Sequence, residues 1–305
     1  MDTKKKKIRT QEQIENRNGY IYIMPWLIGF FAFTLLPMMF SLVISFSKWD
    51  IVSGMSGIEM IGGANYSKMW GDRKFWKALE VTFKYCLMAI PINQIMALVF
   101  ALLLNMRVPF MRFFRSVYFL PSIIPGIATS MIMMQILGEK GLLNQGLAMI
   151  GLKGPAWLNT PQTSLFGLVI VGLWGFGNTM IIYLSGLQSV SEDLYEASQI
   201  DGAGAFTRFF RITVPMISPT IFFNMVMSII GSFQYFDQAY VMTEGGPLNS
   251  TLFYNLYLYT KAYREYEVGF AAAMAWVMFI IILVLTMVVI KSSSFWVFYQ
   301  NDDKI

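Results

Sequence analysis

The residues able to do chemistry in this chain lie inside apolar stretches. Asn93 and Gln94 follow Pro91, and Trp174, Gly175 and Asn178 share a glycine-rich run. Ser228, Ser232, Gln234 and Tyr235 lead up to Asp237. Unpaired amides in hydrocarbon are costly, so such groups must face other helices or a cavity. Read from the residues alone, they either join helices to one another or line a polar path, and the chemistry leaves both open. The catalytic alternatives are narrow. The chain has no histidine, which removes Ser-His-Asp and Cys-His catalysis and histidine metal sites. Its single cysteine, Cys86, has apolar neighbours and no partner for a disulfide. A carboxylate pair of the glycosidase type would need a second acid beside Asp237 in a closed pocket, and none is expected. No metal site is expected.

Composition places these residues in a membrane. The 305 residues are 56% hydrophobic and 13% charged, against about a quarter charged in soluble domains. Six apolar stretches reach the roughly 20 residues that cross a bilayer: 20–46, 81–104, 113–137, 165–187, 216–236 and 268–290. Lys84, near the outer end of the second, can snorkel to the interface. Residues 1–19 form a basic tail too poor in signal-peptide features to be cleaved, and residues 291–305 a short polar one. An aromatic-rich stretch at 47–80 reads as a loop beside the outer surface; 138–164, with a short helix over 142–150, and 238–267 read as two further outer stretches. With both termini inside, 13 of the 23 Lys and Arg face inward and nine outward, a modest bias in the expected sense. The basic residues form no stripe that would track nucleic acid.

One polar stretch, 191–215, separates the fourth and fifth spans. Ser191 suits a helix N-cap and Glu192 and Asp193 the positive end of the helix dipole. Gly202 and Gly204 suit its end. Ala197, Ser198, Gly202, Ala203 and Gly204 make one region small enough to enter a groove on another protein. An ordinary solvated loop is the plainer alternative.

The pattern Glu196-Ala197-Ser198, three residues, Gly202, nine residues, then Ile212-Thr213-Val214-Pro215 resembles the EAA loop of ABC-transporter membrane subunits. Ser198 replaces the second alanine and Val214 the leucine of that pattern. Tyr195-Glu196-Ala197 with Asp201-Gly202-Ala203, and the later Gly245-Gly246-Pro247, resemble the carbohydrate-uptake branch of maltose and glycerol-phosphate permeases. The resemblance implies an all-α integral membrane protein with six transmembrane helices and the type I ABC importer permease fold. It implies a bacterial inner membrane location with both termini cytoplasmic. It also implies partners: a second homologous permease subunit, two ATP-binding subunits and an extracellular solute-binding protein that delivers a carbohydrate.

Residues 195–198 and 201–203 would then form the helix that docks on an ATPase. No Gly-x-x-x-x-Gly-Lys-Ser/Thr motif occurs, so ATP and Mg would be bound by the partner ATPase subunits and no cofactor by this chain. Counted outward from the EAA loop and the Gly-Gly-Pro turn, Trp174, Gly175, Asn178, Ser228, Ser232 and Tyr235 fall where the maltose branch lines its sugar site. Asn93, Gln94 and Gln234 join them as polar groups of the same spans. Glycerol phosphate is the other solute the branch suggests. It would call for cations inside the spans, where only Lys84 stands. An intramembrane enzyme lacks its catalytic groups here, and a plain membrane scaffold would have no use for the EAA pattern.

Overall fold

The computed structural model describes residues 11–298, apart from 51, 53, 107 and 108. The Lys4–Lys7 run, Arg9, Arg107 and the end of the C-terminal tail lie outside the described residues. The architecture is helical. Its one sheet is a two-residue antiparallel ladder, β1 (Ser47–Lys48) on β2 (Glu59–Met60).

Three segments are long and apolar enough to cross a membrane unbroken, and three bent pairs raise the number to six. The first runs through α1 (Gln11–Phe30), a π-turn at Phe31–Leu35 and α2 (Leu36–Ser45). Most of its described side chains are exposed on this chain alone. After the short α3 (Ala64–Gly71) comes α4 (Arg73–Leu104), the central helix. At 1.5 Å per residue its 32 residues extend about 48 Å, well beyond a ~30 Å hydrocarbon core. It begins eight residues before the apolar stretch does, because Asp72 caps it by accepting from Lys74 N at 2.8 Å.

The third span is not the continuous helix that its apolar run suggests. α5 (Met111–Phe119) and a 3-10 turn to Ile123 meet α6 (Gly126–Leu137) at a 100° bend. Proline disfavours the helical region for the residue before it, and here Ile124 leaves it, at ψ 129°; Pro125 follows at ψ 141° as the N-cap of α6. α7 (Leu142–Met149) follows, the short helix expected over 142–150.

The fourth span breaks by 48° between α8 (Ser164–Leu173) and α9 (Gly177–Gln188). Next come α10 (Glu192–Ile200), α11 (Ala205–Arg208), a π-turn to Thr213 and α12 (Val214–Met216). The fifth span bends by 66° into α13 (Ser218–Phe233) and α14 (Asp237–Met242). α15 (Tyr254–Tyr259) leads to α16 (Val268–Trp296), the last span.

α4 packs on α8, α9, α13 and α15, so the core is built around it. One apolar cluster joins Phe75, Tyr85, Leu168, Tyr254 and Met274; a second joins Ala97, Met180, Tyr183 and Ile217. Asn65 of α3 is tied to the end of α2 and to β1, donating to the carbonyls of Ser45 and Ser47 at 2.9 and 2.8 Å. Gly269 lets α16 approach there, since a Cβ would lie 2.0 Å from the Ser47 carbonyl oxygen.

Candidate functional site

A cavity of about 380 Å³ opens where α8 breaks into α9, between α4 and α13. That volume lies in the ~300–1,000 Å³ range of small-molecule sites. Asn93, Gly175, Asn178, Ser228 and Ser232 line it, so the structure brings these five sequence-predicted residues together. Tyr85, Thr179, Phe223 and Asn224 add polar and aromatic groups. Among the described residues no Asp, Glu, Lys or Arg lines it.

The break in the fourth span makes this space. Trp174, Gly175 and Phe176 donate to carbonyls three residues back rather than four. Gly172 allows the closest approach, because a Cβ there would lie 2.5 Å from the Tyr85 hydroxyl oxygen. Gly177 rests on the Tyr118 carbonyl and Phe119 backbone of the third span in the same way.

Four predicted residues do not line the cavity. Gln94 points about 100° around α4 from Asn93 and is committed to its neighbours. Its Nε2 donates to Ser228 Oγ at 2.7 Å and to the Asn224 carbonyl at 3.0 Å, and its Oε1 accepts from the Tyr183 hydroxyl at 2.5 Å. It thereby fixes α4 to α9 and α13. Tyr235 stacks on Tyr85 and Phe253, with centroids 4.5 and 4.9 Å apart, and orients the cavity wall from behind. Trp174 closes α8 with its ring 40% exposed. Gln234 ends α13 and is exposed. Asp237 starts α14, with its carboxylate against Gly126 at the start of α6.

Sequence reasoning missed Tyr85, Gly172, Thr179, Phe223 and Asn224. The glycine-rich run signalled Gly172. Tyr85 carried no such signal, being one aromatic among many in an apolar helix.

The polar stretch 191–215 folds as a helix-turn-helix. Ser191 Oγ accepts from Asp193 N at 3.2 Å. At the other end Ala203 N donates to the Ser198 carbonyl at 2.9 Å and Gly202 N to the Gln199 carbonyl at 3.0 Å. That pair of bonds with Gly202 at φ 77° is a Schellman cap. Gly204 does not end this helix; it is the N-cap of α11, at φ −68°. The elbow is anchored by Tyr195, whose hydroxyl pairs with Thr213 Oγ1 at 3.0 Å. Tyr195 also packs beside Leu187, Val190 and Ile217. Ser198 is buried, whereas Glu196, Ala197, Asp201 and Gly202 are exposed. The face is less small than expected: Ile200 and Phe206 are 87% and 83% exposed. Such apolar exposure on a short polar element marks a contact surface.

Residues 93–297 match the model of the family described as binding-protein-dependent transport system inner membrane component. The chain belongs to that family. It is therefore a bacterial inner-membrane permease component of a system that works with a binding protein. The permease is 39% identical over 295 residues to "Probable ABC transporter permease protein YesP" of Bacillus subtilis (strain 168), covering 95% of this chain and 94% of that one. It is 34% identical over 276 residues to "Lactose transport system permease protein LacF" of Rhizobium radiobacter, covering 88% and 91%. Its fold matches a crystallised bacterial ABC transporter involved in the import of alginate, with TM-score 0.80 at 21% identity over 93% of this chain and 97% of that one. The six-span reading with three bent spans agrees with that ABC importer permease fold.

Proposed function

We propose that this permease forms half of the membrane pathway of an ATP-driven importer for a neutral di- or oligosaccharide. The observation that carries the substrate class is the uncharged cavity, with Asn93, Asn178, Asn224, Ser228 and Ser232 offering amides and hydroxyls and Tyr85 and Phe223 offering aromatic faces. Amides and hydroxyls replace the water a sugar gives up, and rings cover its C–H faces. The relative transporting lactose by name supports the same class. Glycerol phosphate fits less well, because no cation lines the cavity and Lys84 is paired with Glu80 at 2.5 Å on the outer part of α4.

In this reading a second permease subunit supplies the other half of the path. Two separate ATPase subunits hold ATP and Mg, and the α10 elbow, with Glu196, Ala197, Asp201 and Gly202 on its open face, docks into a cleft on one of them. The elbow and both termini then face the cytoplasm, and the binding protein meets the opposite end. The rigid Schellman cap and the Tyr195–Thr213 bond suit the elbow to transmit displacement into α9 and α13. A Cβ on Gly202 would meet no atom within 4 Å of this chain, so Gly202→Glu clashes with nothing here while filling any partner cleft, and Gly202→Ala, which carries the same backbone strain at φ 77°, is the control expected to keep transport. The test is reconstitution with the ATPase, partner permease and binding protein. Gly202→Glu is expected to abolish uptake of labelled oligosaccharide and leave ATP hydrolysis uncoupled from the loaded binding protein. Wild-type uptake of a phosphorylated solute but of no sugar, or normal coupling in the variant, would overturn the proposal.

A further inference from the structure

A second recess, of about 530 Å³, lies between the start of α5 and the α10 elbow, away from the uncharged cavity. Arg112, Arg115, Asn105 and Gln188 line one part of it, and Glu192 and Tyr195 another. Arg112 and Arg115 are three residues apart on α5 and share a face. Arg115 Nη2 donates to the Leu104 carbonyl at 3.1 Å, while its Nε is enclosed and has no acceptor. A buried donor of that kind calls for an acceptor. Two guanidiniums against the single Glu192 carboxylate leave the recess cationic.

The surroundings say what kind of anion this is. Phe110, Phe113 and Phe114 flank the arginines and are 80%, 64% and 43% exposed. Phe110 holds the left-handed conformation at φ 61° to start α5, and the helix is strongly amphipathic in sequence, Met-Arg-Phe-Phe-Arg-Ser-Val-Tyr-Phe. A basic helix with exposed phenyl rings lies in the membrane interface, rings among acyl chains and charges among headgroups. We propose that this recess is a binding site for an anionic phospholipid of the inner leaflet, its phosphate between Arg112 and Arg115 and its chains along the phenyl rings. The choice of leaflet rests on the orientation given under the proposed function. Because Glu192 and Tyr195 belong to α10, the bound lipid joins the coupling elbow to the third span and sets how firmly the elbow is held.

The test uses the purified whole transporter, stripped of lipid and titrated with phosphatidylglycerol or phosphatidylcholine, with retained lipid counted by native mass spectrometry. Removing both charges in Arg112→Gln/Arg115→Gln is expected to lower phosphatidylglycerol retention roughly tenfold, and Arg112→Lys/Arg115→Lys to keep most of it. Arg112→Gln alone, at an exposed side chain, is expected to give an intermediate loss in a complex that unfolds at the wild-type temperature. Equal retention of phosphatidylglycerol by wild type and the double glutamine variant overturns the site, as does equal retention of phosphatidylcholine and phosphatidylglycerol by wild type. Displacement of phosphatidylglycerol by inorganic phosphate overturns the lipid assignment in favour of a free anion. Lipid counts and sugar uptake are read separately, so a transporter that keeps its lipid but moves no sugar refutes the transport reading and leaves this site standing.

Discussion

Gly172→Ala tests whether the cavity wall is as closely fitted as the geometry implies. The added methyl would lie 2.5 Å from the Tyr85 hydroxyl oxygen, against 3.6 Å from the ring carbon that bears it. The clash is therefore with one atom. That atom cannot swing aside, because Tyr85 is 3% exposed and held between Tyr235 and Phe253. Overpacking of this sort costs about 1–3 kcal/mol. Tyr85→Phe alone removes a hydroxyl at about 1 kcal/mol. In the double variant the clashing atom is gone and the next contact is of ordinary van der Waals length. Gly172→Ala/Tyr85→Phe is thus expected to be no less stable than Tyr85→Phe, a coupling of about 1–3 kcal/mol in the rescuing direction. The assay is the half-life of the purified complex at fixed temperature, since large membrane assemblies unfold irreversibly, with sugar uptake alongside. Additive losses in the double variant would refute the one-atom argument and show that α8 approaches α4 less closely than the structure has it.

Gln94→Leu should destabilise the complex by about 2 kcal/mol, because it strands the Tyr183 hydroxyl and Ser228 Oγ; adding Tyr183→Phe to it should cost little more, as thermal half-lives will show. Ser191→Ala removes the cap on Asp193 N and is expected to loosen α10 by about 1 kcal/mol, read as faster proteolysis of the 191–205 elbow in the complex stripped of ATPase. At the start of α16, burial pushes the Glu267 carboxyl up, but the Lys68 ammonium at 2.8 Å and the nearby Lys261 outweigh it, so its folded value is below normal. The ion pair therefore adds stability above the ordinary carboxylate range, lost as pH falls below about 4.5 through the depressed value. Being half-exposed it is worth under about 1 kcal/mol, and Glu267→Gln should erase this small acid-dependent shift in thermal half-life.

How much of this was legible in the sequence differs by kind of interaction. The α10 elbow was legible because its determinants are local: a hydroxyl before the first turn and a glycine after the last, eleven residues apart in chain and all satisfied within it. The apolar runs located the six spans for the same reason. Hydropathy averages a window and carries no ψ, so the 100° turn at Ile124-Pro125 was hidden inside a run that reads as one helix. The division of labour between adjacent residues was hidden too. Asn93 and Gln94 are both amides in one turn of α4, and composition cannot tell them apart. A 100° rotation along the helix turns one into the cavity and the other onto Tyr183, Asn224 and Ser228. The consequence is physical as well as predictive. The second amide anchors α4 to α9 and α13 at the level where the first one faces open space, so in the proposed coupling a displacement of α9 would reach the polar wall of the cavity through Tyr183 and Gln94.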